Sequence, residues 1–116
     1  LYLEFKNRYK DYEDYLRNTL ENWGGNRSGN RIINIDYLGN VKPDPFFNHS
    51  FTNILKEDAI EDIKKDEVFR FLNEYPRKLK GKCADCEFLE ICNGGSRARA
   101  FNRFGDYTME DPSCFI

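Results

Sequence analysis

Four cysteines are the residues of this chain whose type and spacing indicate chemistry. Two residues separate Cys83 from Cys86, five more precede Cys92, and Cys114 lies near the end of the sequence. A C-x2-C pair lets two thiolates point at one metal from a tight turn, and a third and fourth thiolate complete the shell. Both zinc ions and iron–sulfur clusters are held in this way. The spacing therefore predicts one metal centre held by all four cysteines.

Other interpretations of the cysteines differ in how well they fit. Two disulfides require an oxidising compartment, which nothing in the sequence indicates, and a bridge across C-x2-C is strained. A thioredoxin-type redox pair needs a strand before it and a helix after it, and leaves Cys92 and Cys114 without a role. Incidental thiols do not explain the coordinated spacing. Structural zinc, or a single iron held by four cysteines, fits the spacing as well as a cluster does, so the choice of metal stays open at this level.

The residues around the cysteines favour an iron–sulfur cluster. Gly94 and Gly95 follow Cys92 closely and let the backbone approach a bulky group. A short helix, expected from about Ser96 to Arg103 and ended by Gly105, would direct free N–H groups and its positive end at the cluster. Residues 76–103 carry seven cations and three carboxylates, a net charge of +4 in a chain whose total is −2. A basic segment suits an anionic four-thiolate site.

The elements that position the cysteines are predicted from hydrophobic periodicity and turn residues. The chain has 116 residues, 40% hydrophobic and 33% charged, which is typical of one small globular domain. We expect an α+β fold with a two-stranded antiparallel hairpin, flanking helices and an irregular, cysteine-rich metal-binding lobe. The expected elements are an amphipathic helix over 2–22 ended by Gly24-Gly25, a hairpin over 31–47 whose second strand is short or at an edge, one or two helices over 58–75 capped by Asp58 and Asp66, and the cysteine lobe over 81–116.

Several further side chains receive ordinary structural interpretations. The apolar face of the first helix is expected to pack against this domain or a missing neighbour; its members are Phe5, Tyr9, Tyr12, Leu16 and Leu20. Trp23 is expected to be a packing anchor, Asp44 a turn residue and His49 an exposed loop residue. No apolar run is long enough to span a bilayer, and the negative charge without a binding motif argues against nucleic acid.

The combined motifs of residues 26–116 resemble the SPASM domain. The matching segments are Cys83-x2-Cys86-x5-Cys92-x3-Ser96, Gly105-Asp106, Asp111-Pro112-x-Cys114 and the hairpin Ile35-Asp36-x-x-Gly39-Asn40-Val41-x-Pro43. This family is the C-terminal extension of many radical SAM enzymes and binds auxiliary [4Fe–4S] clusters. The family places cysteines where this chain has Asp44 and Ser96. The resemblance therefore implies one auxiliary cluster, held by the four cysteines, and not two.

The glycine-rich connectors are similar to those of one subgroup, the tetrapyrrole-modifying radical SAM proteins of haem biosynthesis. This similarity implies a tetrapyrrole substrate, although peptide-modifying members share the same framework. The arginines Arg97, Arg99 and Arg103 then become candidates for contacts to substrate carboxylates or to the surroundings of the cluster.

The C-x3-C-x2-C motif of radical SAM chemistry does not occur in this sequence. S-adenosylmethionine and its own cluster are therefore expected only in a catalytic barrel of the same parent chain, with residues 1–25 as the last helix or linker of that barrel. The fragment alone is expected to be inactive. We expect a cytoplasmic protein without membrane partners. Zinc is the alternative metal for an aerobically purified sample.

Overall fold

The computed structural model describes residues 2–116; Leu1, the first residue of the predicted segment 1–25, lies outside them. Within this range the chain forms an α+β fold, as predicted. The helices are α1 (Tyr2–Arg8), α2 (Glu13–Trp23), α3 (Ala59–Lys65), α4 (Glu67–Leu72), α5 (Leu89–Cys92) and α6 (Arg97–Phe104), and the strands are β1 (Asn34–Ile35), β2 (Asn40–Lys42) and β3 (Thr52–Asn53). None of these helices is long and apolar enough to cross a membrane.

The predicted hairpin forms the first two strands of a small antiparallel sheet in the order β1-β2-β3. Asn34 pairs with Lys42, and Val41 pairs with both Ile35 and Thr52. The strands are shorter than the predicted span of 31–47, because β2 ends just before Pro43. The third strand was not predicted, and it makes β2 the central strand and not an edge.

The predicted helix over residues 2–22 is wrong as a single element. A 3₁₀ turn at Lys10–Tyr12 separates α1 from α2. The predicted end is confirmed, since Gly24 adopts a left-handed φ of 67° and its N–H donates to the carbonyl of Leu20. A residue with a Cβ atom is strained in that conformation, so glycine provides a low-cost helix end.

The apolar face of these first helices is largely exposed in the described chain. Tyr9 is 44% exposed and Tyr12 61% exposed, and α2 has no buried residue. The expectation that Trp23 anchors packing is wrong, because its side chain is 63% exposed with the Arg27 guanidinium 6.0 Å from the ring centroid. The packing of α2 within this domain is against α5, which ends at Cys92.

The helical segment after the sheet is two helices that meet at Asp66. Its side chain accepts hydrogen bonds from the N–H groups of Val68 (2.9 Å) and Phe69 (3.0 Å), so it caps α4 as predicted. The second helix ends at Leu72, three residues before the predicted limit. Asp58 precedes α3, but its side chain makes no capping hydrogen bond.

One hydrophobic core joins the helical region to the cysteine lobe. α4 buries one face in it and the sheet connection contributes Phe47; its buried members are Phe47, Val68, Phe71, Leu72, Leu79, Cys83 and Ala98. Cys83 and Ala98 belong to the lobe, so the first cysteine and α6 are positioned directly by the core.

The different capping roles of Asp66 and Asp58 give a test of this region. We expect Asp66→Ala to lower the free energy of unfolding by about 1 kcal/mol, because two N–H groups of α4 lose their acceptor. Asp58→Ala is the matched control and is expected to have a much smaller effect. Urea denaturation followed by circular dichroism measures both; equal losses would contradict the capping assignment.

Candidate metal centre

All four cysteines line one cavity of about 310 Å³. They come from three places in the chain: the C-x2-C segment, the last residue of α5 and the C-terminal tail. All four are free thiols. The rest of the wall is mainly apolar and includes Phe88, Leu89, Phe115 and Ile116.

The C-x2-C segment is a compact turn that leads into α5. Cys83 closes a 3₁₀ turn beginning at Gly81, and the Cys86 N–H donates to the carbonyl of Cys83 at 3.5 Å. The N–H of Leu89, the first residue of α5, then donates to the carbonyl of Cys86 at 3.0 Å. Cys92 ends this one-turn helix, so three of the four thiols are positioned by a continuous run of local hydrogen bonds.

Three consecutive residues after Cys92 adopt positive φ angles. They are Asn93 (49°), Gly94 (86°) and Gly95 (65°). For an asparagine this conformation is uncommon. It is held here because the Arg77 N–H donates to Asn93 Oδ1 at 2.8 Å.

Glycines on both sides of this loop allow close packing around the cavity. A Cβ atom on Gly25 would overlap the carbonyl oxygen of Cys92, and one on Gly94 would overlap Leu79. A Cβ atom on Gly95 would lie 2.6 Å from Asp111 Oδ2. The Gly94-Gly95 pair was expected to let the backbone approach a bound group. In the structure it lets the backbone approach the side chains of Leu79 and Asp111.

The predicted helix after the loop is confirmed as α6. Ser96 caps it by accepting a hydrogen bond from the N–H of Arg99 at 3.3 Å, and Gly105 ends it with a φ of 69°. The N–H of Ser96 itself donates to Asp111 Oδ2 at 2.8 Å. The start of α6 is thus tied to the segment that carries the last cysteine.

Asp111 is the buried carboxylate that joins these two segments. Besides Ser96, it accepts hydrogen bonds from Arg99 Nε (2.8 Å), Arg99 Nη2 (2.6 Å) and the N–H of Ser113 (3.0 Å). Burial alone raises its pKa, but the bonds from Arg99, Ser113 and Ser96 dominate and lower the pKa to about 2. Its backbone carbonyl accepts from the Cys114 N–H at 2.9 Å, which fixes the fourth thiol against the lobe.

Arg97, a predicted substrate or cluster-environment residue, is fully buried behind the cavity wall. Its guanidinium donates to the carbonyls of Tyr107 (3.0 Å), Met109 and Gly94. Burial lowers the pKa of Arg97, and the nearby Cys83 opposes that shift. This placement is behind the wall of the cysteine-lined cavity and not on the exposed surface.

Arg77 is a second buried arginine, and its burial was not predicted from the sequence. It is 2% exposed, and its guanidinium donates to the carbonyls of Asn93 (3.1 Å), Leu72 (2.8 Å) and Asn26 (3.1 Å). Burial lowers its pKa to about 10, with smaller contributions from the charges of Arg97 and Arg27. Because Arg77 lies in a stretch rich in lysine, the sequence gives no signal that its side chain is buried.

The other two arginine candidates lie nearer the surface. Arg99 borders the cavity with a side chain that is 53% exposed, while Arg103 is exposed on α6. A second cavity of about 390 Å³ shares Gly95 and Arg99 with the first and is also lined by Asp44 and Ser96. Asp44 and Ser96, the two positions at which the SPASM motif has cysteines, therefore line the same cavity.

Asp44 is a turn residue, as predicted, since its Oδ1 accepts from the N–H of Phe46 at 2.8 Å. Its Oδ2 accepts from the hydroxyl of Ser28 at 2.5 Å, so both carboxylate oxygens are satisfied. His49 is exposed, as expected, and its ring lies 5.1 Å from that of Phe51.

The chemistry of the donor set fits a metal cluster. Burial raises the pKa of the Cys83 thiol, with smaller increases from Cys114 and Cys92, whereas a backbone hydrogen bond at Asp111 and the charge of Arg97 lower it. Four thiols around an apolar cavity of about 310 Å³ leave room for a group larger than one ion. Within residues 2–116, no group of three or more His, Cys, Asp or Glu side chains is placed to hold a metal ion.

Comparison with known proteins finds haem-biosynthesis enzymes. The pre-heme d1 synthase of Dinoroseobacter shibae is 36% identical over 104 residues, which are 88% of this chain and 26% of that protein. The AdoMet-dependent heme synthase of Methanosarcina barkeri is 39% identical over 80 residues, which are 69% of this chain and 22% of that protein. The Fe-coproporphyrin III synthase of the same organism is 33% identical over 99 residues, 79% of this chain and 25% of that protein.

The chain therefore spans about a quarter of the length of these relatives. No protein-family model and no solved structure matches it. The similarity to haem-biosynthesis enzymes expected from the motifs is confirmed, while the assignment to the SPASM family stays a prediction.

The Asp111 network predicts a specific loss of stability. Asp111→Asn removes the charge that accepts from Arg99 and leaves an N–H donor among other donors, so we expect unfolding to become easier by about 2 kcal/mol. Asp85→Asn, an exposed change in the same lobe, is the control and is expected to have little effect. Anaerobic urea denaturation of the metal-loaded chain measures both, and an unchanged midpoint for Asp111→Asn would contradict this role.

Proposed function

We propose that this chain is an auxiliary [4Fe–4S] cluster domain of an AdoMet-dependent radical enzyme that modifies a tetrapyrrole. Cys83, Cys86, Cys92 and Cys114 hold the cluster. The observation that carries the proposal is the shared cavity, because cysteines from three separate places in the chain line it together. Four thiolates at one place in a reduced protein are a metal-binding arrangement.

A cluster needs more room than a single zinc ion. Thiolates bound to one zinc at about 2.3 Å lie within about 4 Å of one another. The cavity lined by the four cysteines and nine other residues has a volume of about 310 Å³, which is large enough for a cluster. Because iron–thiolate clusters persist in reducing surroundings, the proposal includes a cytoplasmic location.

The named activities of the relatives support the tetrapyrrole and AdoMet parts of the proposal. A pre-heme d1 synthase, a heme synthase that depends on AdoMet and an Fe-coproporphyrin III synthase share 33–39% identity with this chain. The chain lacks C-x3-C-x2-C, so AdoMet binding belongs to a separate catalytic domain and the chain alone does not form the radical. We place the contact with that domain on α1 and α2, where Phe5, Tyr15 and Trp23 are exposed.

Electron transfer is the chemistry that such a cluster supplies when bound. The protein's part is to hold four thiolates, exclude water with an apolar wall and keep the last cysteine in place through Asp111. With four cysteines for four irons, no iron is left open for direct coordination of substrate.

Among the arginine candidates, Arg99 is best placed to meet a substrate carboxylate. Its Nε and Nη2 are held by Asp111, whereas its Nη1 has no partner in the described chain. Because it borders both cavities, a carboxylate bound there would lie beside the cluster. Arg103, on the same helix, remains a second candidate.

Anaerobic reconstitution with iron and sulfide tests the proposal. We expect about four irons and four sulfides per chain, with brown colour and an EPR signal after reduction. Each cysteine changed singly to serine should lower the iron content or cluster stability, whereas Ser113→Ala, also in the cavity wall, should retain the full content.

Two outcomes would overturn the proposal. One is a colourless chain that binds one zinc under anaerobic conditions and no iron, which would indicate a structural zinc module. The other is one iron per chain without acid-labile sulfide, which would indicate a single-iron site. X-ray absorption at the zinc and iron edges separates these results.

A further inference from the structure

Two buried arginines form no ion pair among the described residues. Arg97 is 0% exposed and Arg77 2% exposed, and the hydrogen bonds of their guanidinium groups are to backbone carbonyls. Among the described residues, no ion pair involves either side chain. A buried charge without a counter-charge is costly, and native structures normally pair it.

An anionic group bound in the cysteine-lined cavity would supply a counter-charge for these arginines. The Arg97 guanidinium packs against Gly94, where an added Cβ would lie 3.1 Å from its Cζ, and Gly94 lines the cluster cavity. The Arg77 guanidinium donates to the carbonyl of Asn93, the residue after Cys92. Both cations therefore attach to the loop that directly follows a cluster cysteine.

We propose that Arg77 and Arg97 are positioning residues that set the reduction potential of the cluster, an inference that rests on the proposed function. Four thiolates on a [4Fe–4S] core make an anion, and one-electron reduction adds a further negative charge. Two buried cations bonded to the loop that follows Cys92 stabilise the reduced form more than the oxidised form, because the interaction grows with the charge of the cluster. The electron comes from an external one-electron reductant.

The same hydrogen bonds also orient the loop backbone. In a trans peptide the C=O and N–H point in opposite directions. The Asn93 carbonyl is directed at Arg77, so the N–H of Gly94 points away from Arg77. A guanidinium that fixes a carbonyl on its own side therefore also decides where the neighbouring N–H donor points.

Substitutions that separate charge from hydrogen bonding test this role. Arg97→Gln and Arg77→Gln remove the charge, whereas Arg97→Lys and Arg77→Lys keep the charge but lose the planar fork. Lys78→Gln, the loss of an exposed cation, is the control for charge that is not buried. The readout is the midpoint potential of the anaerobically reconstituted chain, titrated with dithionite and redox mediators and followed by EPR.

We expect each Gln variant to be harder to reduce by at least about tenfold, which is a fall of about 59 mV for a one-electron couple. The Lys variants and Lys78→Gln should stay within about threefold of the unmodified chain. A merely structural role predicts that Lys and Gln variants lose stability alike and leave the potential unchanged. Equal potentials in Gln, Lys and unmodified chains would therefore overturn the inference.

Iron and sulfide content, measured first on every variant, separates the two proposals. If the unmodified chain holds no cluster, the proposed function fails. If it holds the cluster and the potentials do not respond to charge, only the present inference fails. Where a Gln variant does not retain its cluster, the corresponding Lys variant decides, because a potential shift at constant charge would also contradict the inference.

Discussion

The charged side chains of Arg77, Arg97 and Asp111 hold the cysteine lobe together, because the lobe has no sheet to satisfy its backbone. Within residues 81–116 the structure contains short helices and turns but no strand. The carbonyls of Gly94, Tyr107 and Met109 converge on Arg97, while Asp111 gathers N–H groups from Ser96 and Ser113. Backbone groups that are buried need such partners. The loops that carry the cysteines are therefore positioned by hydrogen bonds within the protein, and a bound cluster would add a further cross-link among them.

The sequence predicts the local elements of this arrangement well. Ser96 and Gly105 mark the ends of α6 because a hydroxyl acceptor and a left-handed glycine are what helix ends require. Asp66 and the C-x2-C turn are equally local, so both were predictable. The four cysteines that the spacing assigned to one metal centre line one cavity.

The remaining features depend on contacts between distant residues. Arg77 and Asp111 look like surface residues in the sequence, and their burial results from partners up to 51 residues away. The third strand has only two residues, which are too few to give an alternating pattern. Trp23 is a large apolar residue of the kind that usually packs in a core, but its side chain is exposed. Patterns in one segment carry no information on which other segment covers it.

The central claim is that four cysteines bind one cluster in one cavity. A crystal structure of the anaerobically loaded chain, with anomalous diffraction recorded on both sides of the iron absorption edge, tests it most directly. The account predicts one compact iron peak in the cavity with Cys83, Cys86, Cys92 and Cys114 each bonded to a different iron. A single-atom peak, or a cluster that leaves any of these sulfurs unbound, would contradict it.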